Sequence, residues 1–314
     1  MNQPAQRFRS FLWRCLNGLE SRAGDGLLLA LAAVLLWSGN FIAAKAVADT
    51  VPAMALAFWR WSFAALIAIL FAWRHLRQDW PVLVRHWRMV TLLAFLGNAC
   101  YSALIYVGLQ TTSAITVMLE NAILPAAIAV LCYLVHGERM RPVQIWGLGF
   151  SLAGAVWIIV RGDLDQLTAL TLARGDFLVI GGVVAYAAYT VLLSRAPPVH
   201  SASLIAATFA AAAVLLVPFF LGELILGAPT HWPVEGWLAI VYIAVFPSLV
   251  CFSLFNAAIR KIGANRAGIM LSFLPVAGAG LAFVLLGERL TGAHMVGGTL
   301  VLGGVLLAQR RTGR

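Results

Sequence analysis

The chain reads as an all-α integral membrane protein, with ten transmembrane helices arranged as two inverted five-helix repeats around a central cavity. Three observations predict this. Apolar residues make up 62% of 314 positions and charged residues only 11%, too little polar side chain to cover a soluble domain of this size. The charged positions fall in short bursts separating ten apolar runs, each about long enough to cross a ~30 Å hydrocarbon core as a helix. Finally, a Leu-Pro pair precedes a Gly-Glu-Arg triplet twice in one register. Pro125 stands twelve residues before Gly137-Glu138-Arg139, and Pro275 stands twelve before Gly287-Glu288-Arg289.

The predicted spans are 26–47, 53–73, 89–110, 113–135 and 142–160 in the first half, and 176–194, 201–222, 235–257, 266–286 and 292–308 in the second. Basic residues mark most of the boundaries. Arg7, Arg9, Arg14 and Arg22 precede the first span, and Arg74, Arg77, Arg85 and Arg88 separate the second from the third. Arg139 and Arg141 follow the fourth, Arg161 and Arg174 bracket the link between halves, and Arg195 follows the sixth. Arg260, Lys261 and Arg266 separate the eighth from the ninth, Arg289 the ninth from the tenth, and Arg310, Arg311 and Arg314 close the chain.

The 150-residue register also pairs Ala114 with Ala264, Ala127 with Ala277, Leu131 with Leu281, Gly147 with Gly297 and Gly154 with Gly304, more agreement than one chance triplet supplies. Gly24-Asp25 matches Gly175-Asp176 after a one-residue slip. The expected division is a cytoplasmic segment 1–25, a first repeat 26–160, a linker 161–174, a second repeat 175–309 and a tail 310–314. Five spans per half make the second half enter from the opposite side, the architecture of many secondary transporters.

Seventeen Lys and Arg fall on one side of this topology and three on the other, which places both termini in the cytoplasm. The same distribution accounts for the formal charge of +10 without nucleic acid, since no basic, aromatic-studded soluble segment exists. Phe8, Phe11, Leu12, Cys15, Leu16 and Leu19 share a helical face and read as a short amphipathic helix on the membrane surface, with a disordered tail as the alternative. Ala46-Val47-Ala48 lies too far beyond the apolar stretch to be a signal-peptidase site. Cys100, Cys132 and Cys251 lie within spans and Cys15 faces the cytoplasm, so packing rather than disulfides is expected. The six histidines sit in loops or at span ends without zinc-ligand spacing, so no metal or cofactor is expected.

Three ionisable side chains fall inside spans: Lys45, Arg60 and Glu120. A charge at that depth costs at least ~2.5–3.5 kcal/mol, so each needs a partner or water. Arg60 and Glu120 lie at similar depth, roughly 10 Å below the extracytoplasmic surface at 1.5 Å per residue. Two readings stay open. Glu120, at the end of a Ser113, Thr116, Glu120 stripe, lines a cavity and meets a substrate ammonium or a proton, or it pairs with Arg60 to fix helix packing. Lys45 is near a span end and can snorkel. The register sets Met270 opposite Glu120 and Ala210 opposite Arg60, so these charges are not duplicated.

Further cavity candidates cluster at matching levels: Trp37, Ser38 and Asn40 on the first span, Asn98, Tyr101 and Ser102 on the third, Tyr186, Tyr189 and Thr190 on the sixth, and Ser248 and Phe252 after Pro247 on the eighth. Such a lining suits a small organic solute with apolar surface; helix packing and interfacial anchoring are the competing roles. Glu138 and Glu288 read as capping or loop residues. Pro125 and Pro275 read as kinks that make joints for gating. Gly147, Gly154, Gly297, Gly303 and Gly304 predict close packing of the fifth and tenth spans, as scaffold or as a dimer face.

The doubled Leu-Pro and Gly-Glu-Arg pattern, with Trp37-Ser38-Gly39-Asn40 in the first span and Pro52 and Arg60 opening the second, resembles the EamA-type ten-helix exporters of the drug/metabolite transporter superfamily. The resemblance covers about Gly24 to Gln309. It implies cytoplasmic termini, a central cavity between the halves, and export of amino acids or other small metabolites across a bacterial inner membrane, by a monomer or homodimer. Glu120 departs from the mostly apolar residue at that turn of the family. A facilitative or channel-like pore for drugs or organic cations is the alternative. An intramembrane lipid-modifying enzyme lacks its catalytic cluster, and a primary pump lacks a Walker-type loop.

Overall fold

The computed structural model describes residues 23–111, 117, 121–160, 162–163, 165, 174–286 and 292–309. Among them every regular element is helical. The first half holds α1 (Ala23–Ala46), α2 (Ala53–Arg85), α3 (Trp87–Ala94), α4 (Tyr101–Thr111), α5 (Leu124–His136) and α6 (Pro142–Ile159). The second holds α7 (Arg174–Leu192), α8 (Ser201–Ile225), α9 (Val234–Ile243), α10 (Cys251–Ile262), α11 (Ala264–Met270), α12 (Leu274–Leu286) and α13 (Gly292–Gln309). Two π-helical segments, Phe95–Cys100 and Ala244–Val250, join α3 to α4 and α9 to α10 without a break.

Among the described residues six continuous helices are long and apolar enough to cross a membrane: Asp25–Ala46, Ala53–Arg85, Trp87–Thr111, Arg174–Arg195, Ser201–Ile225 and Val234–Ile262. The outside of the bundle is apolar too: Leu28, Leu70, Val130, Leu134, Val214, Leu238 and Leu306 are all exposed. Water would penalise that surface and lipid does not. This is a multi-pass membrane protein.

The other expected spans come out shorter or broken. Leu124–His136, Pro142–Ile158 and Gly292–Ala308 are shorter apolar helices, and the ninth run is divided by a 3₁₀ turn at Leu271–Phe273. Pro125 sits in the first turn of α5, and Pro275 is likewise the second residue of α12. The missing N–H of Pro125 therefore leaves no hydrogen bond of α5 unmade, whereas at Pro275 the backbone stays right-handed helical from α11 through the 3₁₀ turn into α12. The interior prolines are Pro81 in α2, Pro218 in α8 and Pro247 in the second π segment.

The expected loop at 74–88 is also corrected. α2 continues through it to Arg85 and turns into α3 at His86. Leu76 and Leu83 are buried, whereas Trp73, Trp80 and Trp87 are exposed at seven-residue spacing, an amphipathic pattern with interfacial aromatics that keeps the helix going past the apolar run. At its other end, Pro52 offers no side-chain cap. The carboxylate of Glu223 on α8 does so instead, accepting from Met54 N at 3.2 Å and Ala55 N at 2.9 Å. Negative charge is favoured at a helix N-terminus, so this contact ties α2 to α8. The sequence reading had not singled out Glu223.

α6 and α13 pack antiparallel along a glycine seam. A Cβ on Gly147 would lie 2.5 Å from the Gly304 carbonyl oxygen, and one on Gly154 would lie 2.5 Å from that of Gly297. Between them Ser151 Oγ donates to Val301 O at 3.2 Å. Gly303 faces open space and is not part of the seam. Gly137 ends α5 in the left-handed conformation, φ 68°, its N–H on Tyr133 O. Glu138 beside it accepts from Asn265 Nδ2 at 3.2 Å. The N-terminal amphipathic segment, the Ser113, Thr116, Glu120 stripe and the second Gly-Glu-Arg triplet lie outside the described residues.

Gly154→Leu is expected to force α6 and α13 apart and lower stability by about 1–3 kcal/mol or more. Thermal unfolding in detergent checks this against Gly303→Leu, which should be nearly neutral.

Candidate substrate site

The two π segments fall near the middle of their spans and at matching positions of the two halves. Each contains a residue that disturbs regular helix at the matching place, Gly97 in the first and Pro247 in the second. A widened turn aims the next side chain inward. Asn98 and Ser248 are those side chains, both about 1% exposed or less.

Around Ser248 a polar knot forms on Arg60, which is itself 1% exposed. Arg60 Nε donates to Ser248 Oγ at 2.6 Å, and Nη1 donates to Tyr106 OH at 2.5 Å and to Asn40 Oδ1 at 3.3 Å. Tyr106 OH donates in turn to Asn40 Oδ1 at 3.3 Å, and Ser248 Oγ to the Ile243 carbonyl at 2.9 Å. The guanidinium also lies 4.6 Å over the ring of its neighbour Trp61, a favourable cation–π placement. All three hydrogen-bond partners are neutral, and Nη2 has no partner among the described residues.

Trp61 connects the knot to an aromatic cluster. Its Nε1 donates to Ser102 Oγ at 3.0 Å, and its ring meets Phe209 at 4.8 Å and Phe252 at 5.4 Å between centroids. Trp37 packs edge-on against Tyr186 and Phe252 at 5.4 Å and Phe255 at 5.6 Å, and Tyr186 meets Tyr101 at 4.8 Å and Tyr189 at 5.4 Å. Edge-to-face contacts of this kind stabilise beyond the area they bury. Tyr101 OH is anchored on Asn121 Oδ1 at 3.1 Å and Tyr189 OH on Asn256 Oδ1 at 2.9 Å. Tyr186 OH and both polar atoms of Asn98 have no partner among the described residues.

An open cavity of about 750 Å³ leads toward this cluster from one end of the bundle, between the ends of α5, α7 and α10 and the start of α8, lined by Cys132, His136, Glu138, Ser194, Ser201 and Arg260 among others. Its lining includes Val191 and Ile259, within a helical turn in sequence of the Tyr189 and Asn256 that are bonded to each other. Along α10 and the π segment before it, the aromatic layer at Phe252 and Phe255 therefore falls between this open vestibule at Arg260 and the knot at Ser248.

Of the sequence candidates, Trp37, Tyr101, Tyr186, Tyr189 and Phe252 come together in one cluster, and Asn40, Arg60 and Ser248 in one knot. Ser38 Oγ turns back to Leu35 O at 2.7 Å in its own helix. Lys45 is exposed and its Nζ donates to the Leu109 carbonyl at 3.0 Å, so it caps the C-terminal end of α4 instead of reaching inward. Tyr106, Asn256, Asn121, Trp61, Phe209 and Phe255 had not been singled out. The repeat register held one clue, since Tyr106 and Asn256 are 150 residues apart and each receives or gives a hydrogen bond at its own end of the core.

Comparison with known proteins adds a family. The chain matches the EamA-like transporter family over residues 25–160 and again over 173–309. A probable terminal-alkyne amino-acid exporter of Streptantibioticus cattleyicolor is 30% identical over 224 residues, covering 71% of this chain and 73% of that one. A probable amino-acid metabolite efflux pump of Escherichia coli is 24% identical over 297 residues, 90% of this chain and 94% of that one. An uncharacterized transporter of Archaeoglobus fulgidus is 28% identical over 286 residues, 90% and 96% respectively. A solved crystal structure shares the fold with a TM-score of 0.72 at 23% identity, covering 91% of this chain and 97% of that one.

Ser248→Ala leaves Arg60 Nε without its acceptor. A loss of about 1–3 kcal/mol in unfolding free energy is expected, and unchanged stability would show that the knot does not hold the charge as described.

Proposed function

The chain belongs to the EamA-like transporter family, and from that premise we propose that it exports small amphiphilic metabolites, amino acids with aromatic side chains among them, by alternating access at a site between its two halves. The observation that carries this reading is Arg60. A guanidinium 1% exposed, held by neutral groups only and with Nη2 unpartnered among the described residues, is a site for a carboxylate. The neighbouring rings of Trp37, Tyr101, Tyr186, Tyr189 and Phe252 suit an apolar side chain. Glu120 is assigned to the substrate ammonium. The relatives named for amino-acid export and efflux support the same substrate class.

The proposed architecture is ten membrane-crossing segments in two inverted repeats. Supporting it, the seam contacts pair Gly147 with Gly304 and Gly154 with Gly297, while the register relates Gly147 to Gly297 and Gly154 to Gly304. A two-fold axis in the membrane plane produces such crossed pairing, with Ser151 and Val301, which are register mates, in contact on the axis. Likewise α1 packs on α10 as α7 packs on α4. With both termini in the cytoplasm of a bacterial inner membrane, the vestibule faces the cytoplasm, and the described conformation is the one that loads substrate. Pro125 and Pro275, at matching helix starts, are assigned to the joints that move. The working unit is a monomer or a homodimer.

Counterflow of radiolabelled L-phenylalanine in proteoliposomes tests the proposal. Saturable exchange with competition by other aromatic amino acids is expected, reduced at least tenfold by Arg60→Gln and by Glu120→Gln in protein that still purifies folded. Non-saturating flux would favour a pore and count against the carrier.

A further inference from the structure

The two halves treat their π segments differently. In the second, Ser248 is fully engaged, accepting from Arg60 and donating to Ile243 O. In the first, the matching residue is Asn98, and the residue matching Arg60 is Ala210 on α8, which packs against this segment. The group that would answer Asn98 in a symmetric molecule is therefore an alanine methyl. Both Asn98 Oδ1 and Nδ2 lack a partner among the described residues, in a side chain 1% exposed. An amide offers two donors and an acceptor with two lone pairs, and burying it unanswered in a membrane core is unfavourable. Packing alone is better served by an apolar residue there.

The surroundings fit a cationic nitrogen. Asn98 is one turn from Tyr101 and Ser102, and Ser102 is bonded to the Trp61 that stacks on Arg60. The adjoining Gly97 lies against the ring of Tyr189. Asn98 thus stands beside the aromatic cluster, one turn from Tyr101 and next to the Gly97 that meets Tyr189, with an oxygen acceptor close to ring faces. Resting on the amino-acid reading above, we infer that Asn98 contacts substrate: its Oδ1 accepts from the amino group of the molecule whose carboxylate sits on Arg60 Nη2. An ammonium has three N–H donors, so one of them directed at Oδ1 gives this contact its orientation. The inference makes the substrate a bifunctional amine and acid, and makes the missing symmetry of Arg60 the basis of that selectivity.

Three ligands separate the contacts: L-phenylalanine, phenethylamine, which lacks the carboxylate, and 3-phenylpropanoate, which lacks the amine. Binding to the purified full chain is followed by thermal stabilisation across ligand concentration. Asn98→Ala should weaken L-phenylalanine and phenethylamine about tenfold, as expected for one hydrogen bond to a charged group, and leave 3-phenylpropanoate unchanged. Arg60→Gln should do the reverse, weakening the two acids and sparing phenethylamine. Asn98→Asp, which keeps an acceptor oxygen, should retain amine binding, and Asn98→Ser tests the second half's residue if Ala does not fold. Equal weakening of all three ligands by Asn98→Ala, or no weakening of either amine, overturns the inference. Failure of Arg60→Gln to discriminate, with the Asn98 pattern intact, would instead overturn the carboxylate assignment and leave Asn98 standing.

Discussion

The middle of this molecule is arranged around one buried guanidinium, that of Arg60. An arginine side chain at membrane depth is strongly unfavourable unless its donors are met, and here Ser248, Asn40 and Tyr106, from three different segments, meet those of Nε and Nη1. Each of those segments is then constrained. Asn40 fixes the rotation of α1, Tyr106 that of α4, and Ser248 is brought within reach by the widened turn at Ala244–Val250. The Trp61 contact extends the same constraint into the aromatic cluster. Because the partners it has among the described residues are neutral, the knot is receptive to an anion, which a buried ion pair would not be.

The duplicated scaffold and the unduplicated site have separate physical jobs. Close packing of α6 with α13 relies on glycines, and that of α2 with α8 on the Glu223 cap and on ring contacts such as Phe58 with Phe220 and Trp61 with Phe209. Such elements tie the two halves of the chain together. The π segments stand between these roles. They are at matching places in the scaffold, yet one carries Ser248 and the other Asn98, and the difference in their partners is where the two halves diverge chemically.

Much of this was legible in the sequence, and the rest was hidden for identifiable reasons. Apolar run length located the membrane-crossing helices because the bilayer imposes one length scale. It failed at 74–88, where an amphipathic extension carrying Trp73, Trp80 and Trp87 continues the helix beyond the apolar run. The glycine seam was readable from small-residue spacing, although Gly303 shares that spacing and faces outward, since spacing does not fix rotation. Pro125 read as an interior kink because an apolar run does not reveal where a helix restarts. Arg60 stood out by cost alone, whereas Tyr106 and Asn256 look like ordinary interfacial or packing residues until their partners are known. Lys45 read as a residue near a span end that can snorkel, and there it reaches the Leu109 carbonyl, a partner that spacing alone does not reveal.

The central claim is that Arg60, and not the charged rim of the vestibule, is where the substrate is held. A structure of the protein with L-phenylalanine bound tests it most directly. The account predicts the carboxylate within hydrogen-bonding distance of Arg60 Nη2, about 2.7–2.9 Å, with the ring among Trp37, Tyr186 and Phe252. A ligand resting in the outer cavity between His136, Glu138 and Arg260, with the Arg60 knot unchanged, would contradict it.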